Sequence, residues 1–168
     1  MTGEVLGESV KSAMVVVIRD AFKVVTGIAP SQVTTYPTVY KERIVEGLIR
    51  PSFFIGTLNI GQTKHLLKTY SRDYQMKVEY HILESQYDAQ EQLMAIATKL
   101  IQALATINVT MLIGYTNLGV PIGELKTLYG RQFSMQVVDE VLQVFVTYTA
   151  RMKEILPEVA DMETLVII

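Results

Sequence analysis

The chain has 168 residues, of which 49% are hydrophobic and only 19% charged; its net charge is −2 and it has no cysteine. That length suits one domain with a substantial core. The missing cysteine excludes disulfides, thiolate metal sites and cysteine nucleophiles, and the charge balance excludes a basic nucleic-acid footprint.

A charged share below the ~25% typical of soluble domains predicts that partners cover part of the surface. Two histidines, His65 and His81, do not suffice for a histidine-rich metal site. The start "MTGEVLGESV" carries Glu4 and Glu8 and no basic residue, unlike a secretory signal. The apolar run Ala13 to Ile18 is far shorter than the roughly 20 residues of a membrane span. These features predict an intracellular protein without a membrane anchor.

Residues 5–26 predict a helix, because Leu6, Val10, Ala13, Met14, Val17, Ala21, Val24 and Val25 follow the 3,4 spacing of one face. Gly27 and Pro30 end it. A two-proline loop, 29–38, leads to a short element at 39–45. From Ser52 to Leu58 the residues Phe53, Phe54, Ile55 and Leu58 make a nearly continuous apolar run, which suits an inner strand, and Pro51 fits at its entry. The segment "QMKVEYHI", 75–82, alternates Met76, Val78, Tyr80 and Ile82 with Gln75, Lys77, Glu79 and His81, the pattern of a strand with one wet face. With 52–58 it predicts a hairpin.

A second helix is predicted over 88–107, with Asp88 as N-cap, Glu91 three residues on, and an apolar stripe of Leu93, Ile96, Ala97, Leu100, Ile101, Leu104 and Ile107. Val109 to Tyr115 reads as a strand. Residues 116–134, with Gly119, Pro121, Gly123 and Gly130, read as a long connecting arm, a kind of segment that is usually functional or mobile. Val137 to Met152 alternates as a last long strand, with Phe145 interrupting its polar face. The tail, 157–168, ends in Leu165, Val166, Ile167 and Ile168 and is expected to dock on its own domain or on a neighbour. The expected architecture is α+β: one domain, 1–168, with an antiparallel or mixed sheet against two main helices.

No chemistry emerges from these residues. Gly114 to Gly119 lacks the G-x-G-x-x-G spacing and no helix opens after it. His65 lies at a turn rim and His81 on a wet strand face, where solvated histidines are the ordinary case. Glu79 and Glu84 lack a carboxylate partner for acid–base work. Lys64, Lys68 and Arg72 cluster near Tyr70 and Tyr74, but such clusters are usually solvated or paired, and no nucleic-acid specificity is expected. Tyr80 and Tyr148, at alternating strand positions, suit a core or an interface better than a cofactor box. No catalytic, cofactor or metal residue is assigned.

The stretch "EGLIRPSFFIGTL", 46–58, resembles the signature of small phage tail-terminator-like proteins of contractile-tailed phages, defective prophages and R-type phage-tail bacteriocins. Glu46, Gly47, Pro51, Ser52, Phe53, Phe54 and Ile55 match it in order. The likeness continues through "LLKTYSRDYQMKVEYHI" and, more weakly, "QVFVTYTARMKE", whereas the 116–134 arm does not match.

The resemblance implies a structural protein: a ring, commonly a hexamer, on the last ring of the tail tube, ending tube and sheath polymerisation as a collar or cap. Its partners would be copies of itself, the tube protein and the sheath protein. Assembly would occur in the bacterial cytoplasm, within a phage or phage-tail-like particle. Candidate interface residues are Lys64, His65, Lys68 and Arg72, then Leu118, Leu125, Tyr129 and Arg131 of the arm, and Leu165, Val166, Ile167 and Ile168. The alternatives are a head–tail connector or tube-completion protein of the same particle, a small ligand-binding or enzymatic α+β dimer, and a nucleic-acid module using residues 64–74.

Overall fold

A computed structural model describes residues 2–41, 47–66, 69–83 and 90–153. In chain order it has helix α1 (Thr2–Ala21), strands β1 (Val24–Thr26), β2 (Val33–Thr35), β3 (Thr38–Tyr40), β4 (Ser52–Lys64) and β5 (Thr69–His81), helix α2 (Gln90–Leu104), and strands β6 (Thr106–Tyr115), β7 (Pro121–Val138) and β8 (Val141–Lys153). β3 to β8 form one sheet in the order β3-β4-β5-β8-β7-β6, parallel only between β3 and β4, while β1 and β2 form a separate two-stranded hairpin. The fold is α+β.

The core is the layer between the helices and one sheet face. α1 supplies Val10, Ala13, Met14 and Ile18, and α2 supplies Leu93, Ala97, Leu100 and Leu104, all buried. They meet Phe53 and Ile55 of β4, Tyr74, Met76 and Val78 of β5, and the alternate residues Leu142 to Met152 of β8. The expected alternation along β5 and β8 comes from this one-sided burial, because successive side chains point to opposite faces. The Phe53 ring meets those of Phe22 and Tyr80 in tilted contacts, each centroid 4.8 Å away, and Phe54 on the other face is half-buried. Residues 47–58 are therefore the approach and first part of an inner strand, with Gly47 at φ 72° before it.

Several boundaries differ from expectation. α1 stops at Ala21, and Val24 and Val25 form β1 instead, with both side chains exposed. Their β-branched side chains favour an extended backbone, and the left-handed turn falls at Gly27 (φ 89°). α2 ends at Leu104, so Ile107 belongs to β6, though it is fully buried there as well. β8 starts at Val141, not at 137, because Asp139 and Glu140, both at positive φ, make a two-residue turn. His81 is half-buried rather than solvated. The Asp88 cap and the 157–168 tail lie outside the described residues.

The largest difference is the arm. Residues 121–138 are one long strand, β7, not an irregular connection. Its first half pairs with β6, from Thr106↔Tyr129 to Tyr115↔Pro121, and its second half pairs with β8, from Gly130↔Tyr148 to Val138↔Val141. The strand changes partner at Gly130. A side chain there would approach the Leu104 carbonyl to 2.7 Å and the Val146 methyl to 3.0 Å. The Gly130 amide donates to the Ala105 carbonyl (2.9 Å), and the buried Tyr148 hydroxyl donates to the Leu104 carbonyl (2.7 Å). Both carbonyls lie at the end of α2, where no intrahelical donor remains. The root of the β6–β7 hairpin is thus tied to α2 and β8.

Candidate functional site

In the β6–β7 hairpin the β6 strand buries Val109 and Met111, whereas the β7 residues opposite them have no buried face. Residues 121–127 are all exposed, and the apolar residues among them and at the tip include Tyr115, Leu118 (92% exposed), Val120, Ile122 and Leu125 (70%). The tip is ordered by backbone geometry: the Thr116 amide donates to the Val120 carbonyl, the Gly119 amide to the Thr116 carbonyl, and the Val120 amide to Thr116 Oγ1. Gly119, at φ 76°, takes the left-handed position of this turn. Thr127 Oγ1 donates to Asn108 Oδ1 (2.8 Å) across the two strands. Exposed apolar residues gathered on one hairpin make it a candidate contact surface, since contiguous apolar patches are the kind that interaction sites use. Tyr129 and Arg131, at the hairpin's root, are exposed too.

The predicted basic cluster is partly assembled. Lys64 is exposed at the end of β4, opposite Tyr70. His65 is exposed, and its Nε2 lies 2.9 Å from Ser71 Oγ. Arg72 is already engaged: Nε and Nη2 donate to Gln62 Oε1 (3.2 and 2.6 Å), and its guanidinium lies 5.5 Å from the Tyr70 ring centroid. Lys68 lies outside the described residues, as do Glu46, Leu165, Val166, Ile167 and Ile168.

Sheet register joins this cluster to the hairpin. Ser71 is opposite Arg151, and the Arg151 carbonyl accepts from Lys126 Nζ of β7 at 3.2 Å. Lys126 and Arg151 had no signal in the sequence, because pairing between distant strands brings them together.

A second exposed apolar surface, without a counterpart among the expected interface residues, is the β1–β2 hairpin, with Val24, Val25, Ile28 and Val33, and Tyr36 just beyond it. Arg19 covers the Tyr36 ring at 4.9 Å, and Lys23 pairs with Asp20 at 2.6 Å, so the hairpin's base is fixed to α1. The β-branched runs Val24-Val25-Thr26 and Val33-Thr34-Thr35 were the available clue.

The sheet face away from the helices carries a polar row. Glu79 accepts from Lys77 Nζ (2.6 Å) and Gln143 Nε2 (3.2 Å), Gln143 accepts from Gln136, and Thr149 donates to Asp73 (2.6 Å). His81 Nε2 stands 3.5 Å from Glu79, and Ser52 is directly opposite His81. Serine, histidine and glutamate thus share one end of the sheet. Ser52 Oγ and His81 Nδ1 are both buried with no hydrogen-bond partner among the described residues, so the two side chains do not form a nucleophile–base pair with each other. Among the described residues no group of three or more potential metal ligands occurs. Three tyrosines have pKa values raised mainly by burial: Tyr148, Tyr80, and Tyr74, where the nearby Arg72 opposes the rise. These shifts belong to core packing.

A family model described as phage tail terminator protein matches residues 23–159. The chain belongs to the phage tail terminator family. The match takes in every strand of the main sheet, both exposed hairpins and the signature stretch with Gly47, Pro51, Phe53, Phe54 and Ile55. A search of curated proteins finds no match. Tail terminators are structural components of a phage tail that associate with other tail proteins, and such a role relies on surfaces rather than on a pocket. No helix among the described residues is long and apolar enough to cross a membrane.

Proposed function

We propose that this tail terminator closes into a ring, most simply a hexamer, on the last ring of the tail tube and there ends tube and sheath polymerisation as a collar. Family membership carries this reading. Support comes from two unlike exposed apolar surfaces, the β6–β7 hairpin and the β1–β2 hairpin. A cyclic ring larger than a dimer needs two different patches that meet, since a self-complementary patch stops at two copies. In this reading Leu118, Leu125, Tyr129 and Arg131 meet a neighbouring copy or the tube. Lys64, His65, Lys68 and Arg72 form the polar rim of the contact, and Leu165 to Ile168 add apolar area. The particle is a contractile-tailed phage, a defective prophage or a bacteriocin, assembled in the bacterial cytoplasm. The role is structural and needs no cofactor.

Native mass measurement of the purified chain, alone and with its tube protein, tests the ring. The expected result is a single closed multiple, appearing at the latest when tube ends are supplied. An open-ended series of oligomers, or a dimer alone under both conditions, would overturn it.

A further inference from the structure

Two pieces of sheet are incomplete, one at each end of the strand order. The β1–β2 hairpin has three residues per strand, all of them exposed. Such a hairpin is marginal in water by itself and gains stability from a further strand or a packed face. Residues 24–36 also carry no charged side chain. Charge, lysine above all, is what usually keeps an exposed edge from pairing. The outer half of β7 is the second piece. β6 occupies one edge of residues 121–129, while pairing with β8 stops at Gly130↔Tyr148, so the other edge has no strand partner among the described residues.

The side chains beside these edges match. Val24 is opposite Thr35 and Val33 opposite Thr26, so both valines fall on one face of the β1–β2 pair, and both are more than half exposed. Leu125 and Tyr129 share one face of β7, the face away from buried Leu128, and they are exposed as well. Within one copy the two pieces lie apart, at opposite ends of α1. The Thr110 amide of β6 donates to Ser9 Oγ in the first half of that helix (2.9 Å), whereas Phe22, just past its end, meets Phe53 of β4. From Ser9 to Ala21 the helix spans about 18 Å, at about 1.5 Å per residue. In the sheet, β2 leads into β3 at one edge, and β7 with β6 forms the other.

We infer that the β1–β2 hairpin of one copy adds edge-on to residues 121–129 of β7 in a second copy, joining the two pairs into one four-stranded sheet with Val24 and Val33 beside Leu125 and Tyr129. The occupant is a second copy because each chain carries both halves of the contact, each half supplies the strand partner the other lacks, and α1 separates them within the chain. Both halves are held in place before they meet, by Arg19 over Tyr36 at one and by the Gly130 amide on the Ala105 carbonyl at the other, which lowers the ordering cost of binding. Since the halves differ, a bound pair still offers one of each, the head-to-tail condition for a ring. The inference rests on the ring reading for its choice of partner and names the surfaces that meet.

Mixing two defective chains tests it. Val33→Lys puts a charge on the β1–β2 hairpin and Leu125→Lys puts one on β7; both positions are exposed, so each variant should keep the wild-type unfolding midpoint. Sedimentation of the full-length chains is followed up to high micromolar concentration. The wild type should self-associate, and each variant alone should do so about tenfold or more weakly. An equal mixture of the variants should form a one-to-one heterodimer and nothing larger, because the β7 edge of the Val33→Lys chain and the hairpin of the Leu125→Lys chain are both intact. A mixture no more associated than its parts would overturn the inference, as would undiminished self-association of either variant alone. A wild-type chain that stays monomeric throughout would overturn it too, while the ring reading, which allows assembly on tube ends, would survive. Open-ended oligomers of the wild type together with the expected heterodimer would do the reverse, sinking the closed ring and keeping the contact.

Discussion

Tyr74 and Tyr148 face each other across β5 and β8, both fully buried, yet their hydroxyls differ in one respect. Tyr148 donates to the Leu104 carbonyl at 2.7 Å, whereas the Tyr74 hydroxyl has no hydrogen-bond partner among the described residues. Tyr148→Phe removes one oxygen, opens no sizeable cavity and leaves a buried carbonyl at the end of α2 unsatisfied. The loss of such a bond costs about 1–3 kcal/mol. Tyr74→Phe removes a buried hydroxyl that lies near Arg72 but makes no hydrogen bond among the described residues, so the change should cost less than about 1 kcal/mol or be neutral. At this chain length each kcal/mol moves Tm by roughly 2–4 °C. Thermal and urea unfolding of both variants, at one protein concentration so that any self-association is held constant, should separate them clearly. Equal destabilisation by the two substitutions, or an unchanged Tyr148→Phe, would refute the claim that this hydroxyl ties the root of the hairpin to α2.

Gly130→Ala should destabilise by about 1–3 kcal/mol, because the added methyl meets the backbone oxygen of Leu104 at 2.7 Å; a wild-type urea midpoint would show that the strand can shift freely there. Leu100→Ala, at a fully buried position of α2, should cost about 2–5 kcal/mol in urea unfolding, and an unchanged midpoint would contradict the packing of α2 on the sheet. The tyrosines predict the alkaline limb of stability. Burial raises the folded pKa of Tyr148, Tyr74 and Tyr80 above the unfolded value near 10, so the unfolded chain loses protons first and stability must fall as pH rises past about 10. Urea midpoints from pH 8 to 11 should be flat and then decline, less steeply in Tyr148→Phe; a midpoint that rises above pH 10 would contradict the burial.

How much of this could be read in advance depended on whether an element has one dry face. β5, β8 and α2 do, and their periods were legible because burial imposes them. β7 does not. Its outer half is exposed on both faces, so nothing enforces a period of two, and its glycines and proline read as loop punctuation. Each instead has a strand role: Pro121 opens the strand, Gly123 pairs with Leu112 beside a register shift, and Gly130 is the point where the partner changes. Asp139 and Glu140 concealed a turn because Glu140 stands at the second positive-φ position, where glycine is usual.

The candidate surfaces divide in the same way. Leu118, Leu125 and Tyr129 stood out as apolar residues in an apparent loop, and they are indeed exposed. Arg72 looked available but is engaged with Gln62. Lys126 and Arg151 had no local signal, since only contacts between strands distant in sequence put Arg151 opposite Ser71 and Lys126 against the Arg151 carbonyl.

If this protein ends tail polymerisation, its loss must show in the tails themselves. The most direct measurement is the length distribution of tails, by electron microscopy, in a strain that carries the particle's genes but lacks this one. A terminator role predicts tubes of uncontrolled length or sheaths that fail at the upper end, with tube protein still polymerising and complementation restoring a single length. Tails of uniform, normal length with intact upper ends in the deletion strain would contradict it.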